Sequence, residues 1–118
     1  MRPANISQAQ QQMRKLLERK IPGRRATKVK AHQKRAATIA DTLYRHFQVG
    51  PYQYQVKHLR WYLETQTRHL KTGSRYRHWL TIQQIVTALN KQGLWESLLE
   101  GSWKQPESSN LPPEYRKN

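Results

Sequence analysis

The stretch Arg24–Phe47, RRATKVKAHQKRAATIADTLYRHF, decides how the rest of the chain reads. At helical spacing, Val29, Ala36, Ile39, Ala40, Leu43 and Phe47 fall on one face, while Lys28, Lys30, Lys34 and Arg35 fall largely on the others. Cations crowd the front half and the larger apolar groups the back half. One helix over about 26–48 is therefore expected to anchor itself in a core by its C-terminal half and to offer its N-terminal half to something negative. A solvated, merely Lys-rich helix is the plainer reading of that pattern.

Working outward, Pro22-Gly23 separates this helix from an earlier one, since proline disfavours helix in the residue before it. That first segment, SQAQQQMRKLLERK, is rich in helix formers, with Asn5 or Ser7 as N-cap and a thin apolar stripe of Met13, Leu16 and Leu17 backed by Ile6 or Ala9. On the other side, Val49-Gly50-Pro51 closes the long helix. A third helix follows from Val56, with Val56, Leu59, Leu63 and Leu70 on one row and Tyr62 and Gln66 beside it. Lys71-Thr72-Gly73-Ser74 reads as a turn, with Thr72 or Ser74 as the next N-cap. The fourth helix, about 75–92, carries the most apolar face of the chain: Trp79, Ile82, Ile85, Val86 and Leu89. Leu94, Trp95, Leu98 and Leu99 form a short fifth helix or turn, and Trp95 and Trp103 read as lids on a small core. No run alternates long enough for a strand. The expected fold is all-α, a compact bundle of four to five helices spanning 1–103, with 104–118 (Pro, Ser and Asn-rich, without periodicity) as a flexible C-terminal tail or linker.

Charge narrows the function. The 118 residues hold 22 Lys and Arg against 7 Asp and Glu, a net charge of +15. The excess is +10 across residues 1–40, +5 across 41–80, and zero across the remainder. Such imbalance costs the folded state self-repulsion, and a polyanionic partner is the simplest physical reason to tolerate it. Nucleic acid is favoured over a membrane surface. No apolar run approaches the ~20 residues a span needs, and the N-terminus MRPANISQAQQQ lacks the apolar core of a secretory signal. The expected location is cytoplasmic and nucleoid-associated.

Two constellations carry the candidate interface. From Arg14 to Arg35 there are ten cations in 22 residues, suited to neutralising phosphates and releasing condensed counterions. Within it, Arg24, Arg25, Lys28, Lys30, Lys34 and Arg35 are the expected phosphate contacts, and Thr27 and Gln33 interleave with them to reach phosphates or base edges. The second constellation opens the fourth helix. Lys71, Ser74, Arg75 and Arg77 surround a helix N-terminus whose free N–H groups suit a phosphate.

Other chemistries find little support. With no cysteine there is no thiolate ligand or thiol nucleophile. His32, His46, His58, His69 and His78 are never paired at i, i+4, so no metal and no cofactor is expected. The acids are too few and scattered for paired-carboxylate catalysis. Of the aromatics, Trp79 and Tyr62 belong to the core by periodicity, whereas Trp61, Tyr52 and Tyr54 are harder to place inside.

The order of features resembles the N-terminal core-binding domain, a sterile-alpha-motif-like helical module, of phage-type tyrosine recombinases or integrases. The points of likeness are GRRAT at 23–27, a long helix ending TLYRHF at 42–47, and KHLRWYLETQTRHLKTGSRYRHWLTIQQIVTAL at 57–89, with a tryptophan-bearing stretch after it. The resemblance implies one half of a DNA clamp whose catalytic arginines, histidine and nucleophilic tyrosine lie in a separate recombinase catalytic domain. His32-Gln33-Lys34-Arg35 fits a His-x-x-Arg string but lacks catalytic surroundings, so this chain is not expected to be an enzyme by itself. It is either an excised domain or a stand-alone relative that binds double-stranded DNA without cutting it. Two other readings stay open. One is an RNA-binding or RNA-chaperone protein that stacks bases on exposed Trp61 and Tyr54. The other is a basic protein-interaction subunit that docks through exposed Met13 and Leu17.

Overall fold

The computed structural model describes the backbone of residues 2–20 and 26–104 and the side chains of residues 2–18 and 30–104. It is all-α, with no strand among the described residues. The helices are α1 (Ile6–Lys20), α2 (Ala26–Phe47), α3 (Val56–Trp61), α4 (Thr72–Ala88) and α5 (Gln92–Trp95), with 3₁₀ turns at Pro51–Gln53, Glu96–Leu99 and Ser102–Lys104. The expected tail beyond Lys104 lies outside the described residues.

Asn5 starts α1. Its Oδ1 accepts the Gln8 N–H at 2.8 Å, and Gln8 Oε1 accepts the Ala4 N–H at 2.7 Å. This near-reciprocal exchange supplies partners for groups the helix start leaves over. Ala9, Met13, Leu16 and Leu17 are buried along the seam with α2, where Gln10 Nε2 also donates to the Ala37 carbonyl at 3.1 Å. The expectation of an exposed Met13 and Leu17 is thereby corrected: they are 0% and 4% exposed. A stripe that looked thin suffices, because α2 and α4 both pack against it.

On α2, Ala36, Ile39, Ala40 and Leu43 are buried and Phe47 is partly so, as the spacing predicts. Gln48 ends the helix in the left-handed region (φ 54°), and its side-chain amide donates to the Tyr44 and Arg45 carbonyls at 3.4 and 3.2 Å. That return of donors satisfies carbonyls a helix end leaves unpaired. Gly50 follows where only hydrogen fits: a Cβ there would lie 2.6 Å from Pro3 Cδ and 2.8 Å from Gln12 Oε1.

The third helix is shorter than its pattern suggests. After Trp61 the backbone widens into a π-helical turn, Tyr62–Gln66, and the chain leaves the helix before Leu70. Here Thr67 Oγ1 donates to the Leu63 carbonyl at 2.6 Å, and Arg75 Nη2 donates to the same oxygen at 3.1 Å. Side chains thus satisfy a carbonyl that the next α-turn would otherwise have taken, and the helix can stop inside the core.

Helix α4 begins at Thr72, a turn earlier than the sequence suggests, with Lys71 in the N-cap position and no side-chain cap. Trp79, Ile82, Ile85 and Val86 are buried as expected and Leu89 is half-buried. The helix stops at Asn90, whose φ of 63° lets the Asn90 and Lys91 N–H groups reach the Thr87 and Val86 carbonyls at 2.9 and 3.0 Å, a Schellman closure. Leu99 and Trp103 complete the core from the C-terminal side. Trp103 donates Nε1–H to the Leu99 carbonyl at 2.9 Å, with the Arg60 and Arg75 guanidiniums 5.7 and 5.5 Å from its ring. Trp95 is only half-buried.

Candidate nucleic-acid interface

The interface is best approached from Thr81, a hydroxyl with no solvent exposure on the face of α4 turned to α2. Arg35 Nε donates to Thr81 Oγ1 at 2.9 Å, and His32 Nδ1 lies 2.9 Å from the same oxygen. A hydroxyl that accepts from Arg35 has its own proton to give to His32, so one buried atom orders two α2 side chains. Among the described residues, no hydrogen bond engages the terminal Nη groups of Arg35, which is half-buried.

Arg77 faces this junction from α4. Partial burial, and then the charge of Arg77, lower the Arg35 pKa. The two sequence constellations therefore meet: the basic half of α2 runs into the basic first turns of α4. Lys30 and Lys34 are exposed beside Arg35, and Lys71 is exposed at the α4 start, roughly 9 Å along the axis from Arg77.

Among the described residues, four of the five acids are paired elsewhere. Glu18 pairs with Arg14 (4.0 Å), Asp41 with Arg45 (2.6 Å), Glu64 with Arg60 (2.9 Å) and Glu100 with Lys104 (2.7 Å), each along its own local turn. Among the described residues, no ion pair engages Lys30, Lys34, Arg35, Lys71 or Arg77.

The remaining candidates are distributed differently. Arg24 and Arg25 lie outside the described residues, and so do the side chains of Thr27 and Lys28 in the first turn of α2. Ser74 is half-buried. Arg75 turns inward: Nε donates to Thr67 Oγ1 at 3.1 Å, Nη2 to the Leu63 carbonyl and Nη1 to Ser102 Oγ at 2.7 Å. Its donors hold the fold together, and Arg77 is the arginine of that pair that faces out. Gln33 lines a polar cleft between α1 and α2 with Ser7, Gln10, Gln11 and Arg14.

The aromatics do not supply a stacking platform of the kind foreseen. Tyr54, expected to be exposed, is 6% exposed. Trp61 is half-buried, with its ring 4.4 Å from His46 and 5.1 Å from Phe47. Residues on a loop and on a short helix carry too little periodicity to be assigned a side, and Tyr52 is the aromatic left outside.

Behind Arg35 lies a second polar pair. Tyr62 O–H meets His78 Nδ1 at 3.1 Å, and the His78 pKa is lowered by burial first and then by the charge of Arg35. Burial pushes the Tyr62 phenol up to about 12, so it remains a donor. His58 is also lowered, by burial and then by Lys57, and its Nδ1 accepts the Gln55 N–H at 2.9 Å to cap α3. Both imidazoles are thus held neutral in the fold. The unfolded chain binds the proton more readily, so the stability they contribute is complete above the ordinary value of 6.5 and is lost as pH falls through the depressed folded values. Thermal melts are expected to show a Tm that is flat above neutrality and declines below about pH 6.5, with a shallower decline in a His58→Gln, His78→Gln double variant. A Tm that rises on acidification would refute this assignment.

Thr81 escaped the sequence reading. Tyr62 is expected in the core, where it lies, and His32 and His78 enter only as histidines without an i, i+4 partner, His32 also as part of a His-x-x-Arg string. The available signal was the spacing of Arg77, His78 and Thr81 on one side of α4, which acquires meaning only once α2 is known to lie across it. Among the described residues, no group of three His, Cys, Asp or Glu could hold a metal ion, and no helix is long and apolar enough to cross a membrane.

No protein-family model, curated protein or solved structure matches this chain.

Proposed function

We propose that this chain is a DNA-binding helical domain that grips the backbone of a duplex through the face where α2 crosses α4. The observation that carries the reading is the meeting of Arg35 on α2 with Arg77 on α4, with exposed Lys30, Lys34 and Lys71 on the same two helices and no acid paired to any of the five among the described residues. Holding like charges together costs energy in the free protein, and a row of phosphates offsets that cost while releasing counterions. Arg24, Arg25, Thr27 and Lys28 are candidates from their sequence alone, as cations and a hydroxyl next to Lys30 in the chain.

The likeness to recombinase core-binding domains gives this reading a specific form. The chain acts as the binding half of a site-specific recombination or integration system, leaves bond breakage to a separate catalytic domain, and works on nucleoid DNA in the cytoplasm. Base readout is limited and comes from the polar groups among the cations.

The rival readings lose their carriers. Stacking of single-stranded bases called on Tyr54 and Trp61, which are buried and half-buried respectively, and partner docking called on Met13 and Leu17, which are buried. Fluorescence anisotropy at about 0.1 M salt, comparing a short duplex DNA, its single strand and a structured RNA, tests the choice. The duplex is expected to bind most tightly, with affinity falling steeply as salt rises. Tighter binding of RNA or of the single strand, or no binding to any of the three, overturns the reading.

A further inference from the structure

We infer that the α2–α4 junction is a proton-linked phosphate seat, in which Arg35 and Arg77 hold one phosphate group and His78 takes up a proton as that phosphate arrives. The occupant, a backbone phosphate of DNA, rests on the reading above; the seat and its coupling to a proton rest on the junction itself.

Two features make the junction more than a charged surface. The first is that Arg35 is aimed. Its Nε is fixed on Thr81, a hydroxyl with no solvent exposure, and no hydrogen bond or ion pair among the described residues engages its two Nη groups, which leaves that edge of the planar guanidinium for phosphate oxygens. Thr81 is a positioning residue here, and its contact with His32 Nδ1 steadies it.

The second is that the seat is backed by a titratable group, not by an acid. The ionisable groups around His78 are Arg35 and His32 from α2, Arg77 from its own helix, and Tyr62 from the turn below, behind which Tyr54 is buried. No carboxylate pairs with Arg35, Arg77 or His78 among the described residues. With the seat open, His78 is neutral and its Nδ1 accepts the Tyr62 O–H. One of the two influences that keep it neutral is the Arg35 charge.

A phosphate seated on Arg35 and Arg77 cancels that influence and adds negative charge nearby. The imidazole then takes one proton from solvent at Nδ1, and the Tyr62 contact reverses so that Nδ1–H donates to the phenol oxygen. By linkage, a ligand that raises the pKa of a group binds more tightly as pH falls through the affected range, by up to about tenfold for each unit of the rise. The same acidification that weakens the free fold strengthens its hold on the phosphate.

The test has two arms, both on the full chain. In the first, the His78 imidazole is titrated by NMR with and without inorganic pyrophosphate, His78→Gln identifying its signal. The pKa is expected to rise on addition of pyrophosphate in the native protein and to stay put in an Arg35→Gln, Arg77→Gln variant. An unmoved native His78 overturns the seat, and should His78→Gln not fold, the imidazole that shows contacts to the Tyr62 ring in the native spectrum identifies the signal.

In the second arm, duplex affinity is measured from about pH 7.5 to about pH 5.5 at fixed salt. The native protein is expected to gain several-fold more on acidification than His78→Gln does. Equal gains overturn the proton linkage while leaving DNA binding in place. A rise of the His78 pKa with pyrophosphate, without duplex binding at any pH, sustains the seat and removes DNA as its occupant.

Discussion

Replacing Lys30, Lys34, Arg35 and Arg77 together by glutamine is expected to lower duplex affinity by about three orders of magnitude at about 0.1 M salt. Each phosphate contact adds about 0.9 to the slope of log affinity against log salt, so loss of all four flattens that slope by between three and four. The effect should be the same for unrelated duplex sequences, because phosphate contacts carry no sequence information. A second readout separates a binding role from a structural one. None of the four joins an ion pair among the described residues, and glutamine at 35 retains a donor for Thr81. The variant should therefore melt no lower than the native protein, and higher if relief of self-repulsion dominates. An unchanged salt slope would remove these residues from the interface, and a collapse in Tm would assign them to the fold instead.

Trp103→Ala is expected to be the most damaging single substitution in the chain. Trp103 is 3% exposed, donates to the Leu99 carbonyl, and has the guanidiniums of Arg60 and Arg75 within 5.7 and 5.5 Å of its ring. Removing a buried indole typically costs about 3–5 kcal/mol through lost transfer energy and the cavity left behind. The carbonyl of Leu99 loses its partner, and the two cations lose the ring face they approach. For a domain of this size the combined loss corresponds to a fall in Tm of roughly 15–30 °C. Circular dichroism melts would check it, with Trp103→Phe expected to recover a large part of the loss. A fall of only a few degrees would mean that the segment from Gly101 onward is a dispensable flap.

Much of the architecture was legible because helices announce themselves by spacing and by their ends. Asn5 as a cap, and Val49-Gly50-Pro51 as a stop, are short-range signals that need no knowledge of neighbours. The buried faces of α2 and α4 follow from periodicity for the same reason. What escaped depends on which helix lies against which. Met13 and Leu17 look sparse on a linear stripe, yet two helices pack against them. Arg75 and Arg77 are two residues apart and chemically alike. Only the position of Thr67, Leu63 and Ser102 decides that the first is a structural tie and the second an exposed cation. The end of α3 was hidden for a related reason: the side chains that satisfy the Leu63 carbonyl come from Thr67 and, across the fold, from Arg75.

The candidate surface divides along the same line. Its charge was plain from composition, since an excess of cations over residues 1–80 is visible without any coordinates. Its organisation was not, because Thr81 reads as an unremarkable threonine in an apolar helix until Arg35 and His32 are seen to converge on it.

Arg75 binds Ser102 with one nitrogen and the interior of the fold with the other two, so the end of the described chain is laced to the opening turn of the helix that presents Arg77. Tension applied at Lys104 would pass through Trp103 in the core and then, by way of Ser102, to that turn. Whatever is joined beyond that point is mechanically in series with the basic face, and a load on one becomes a change of pose in the other.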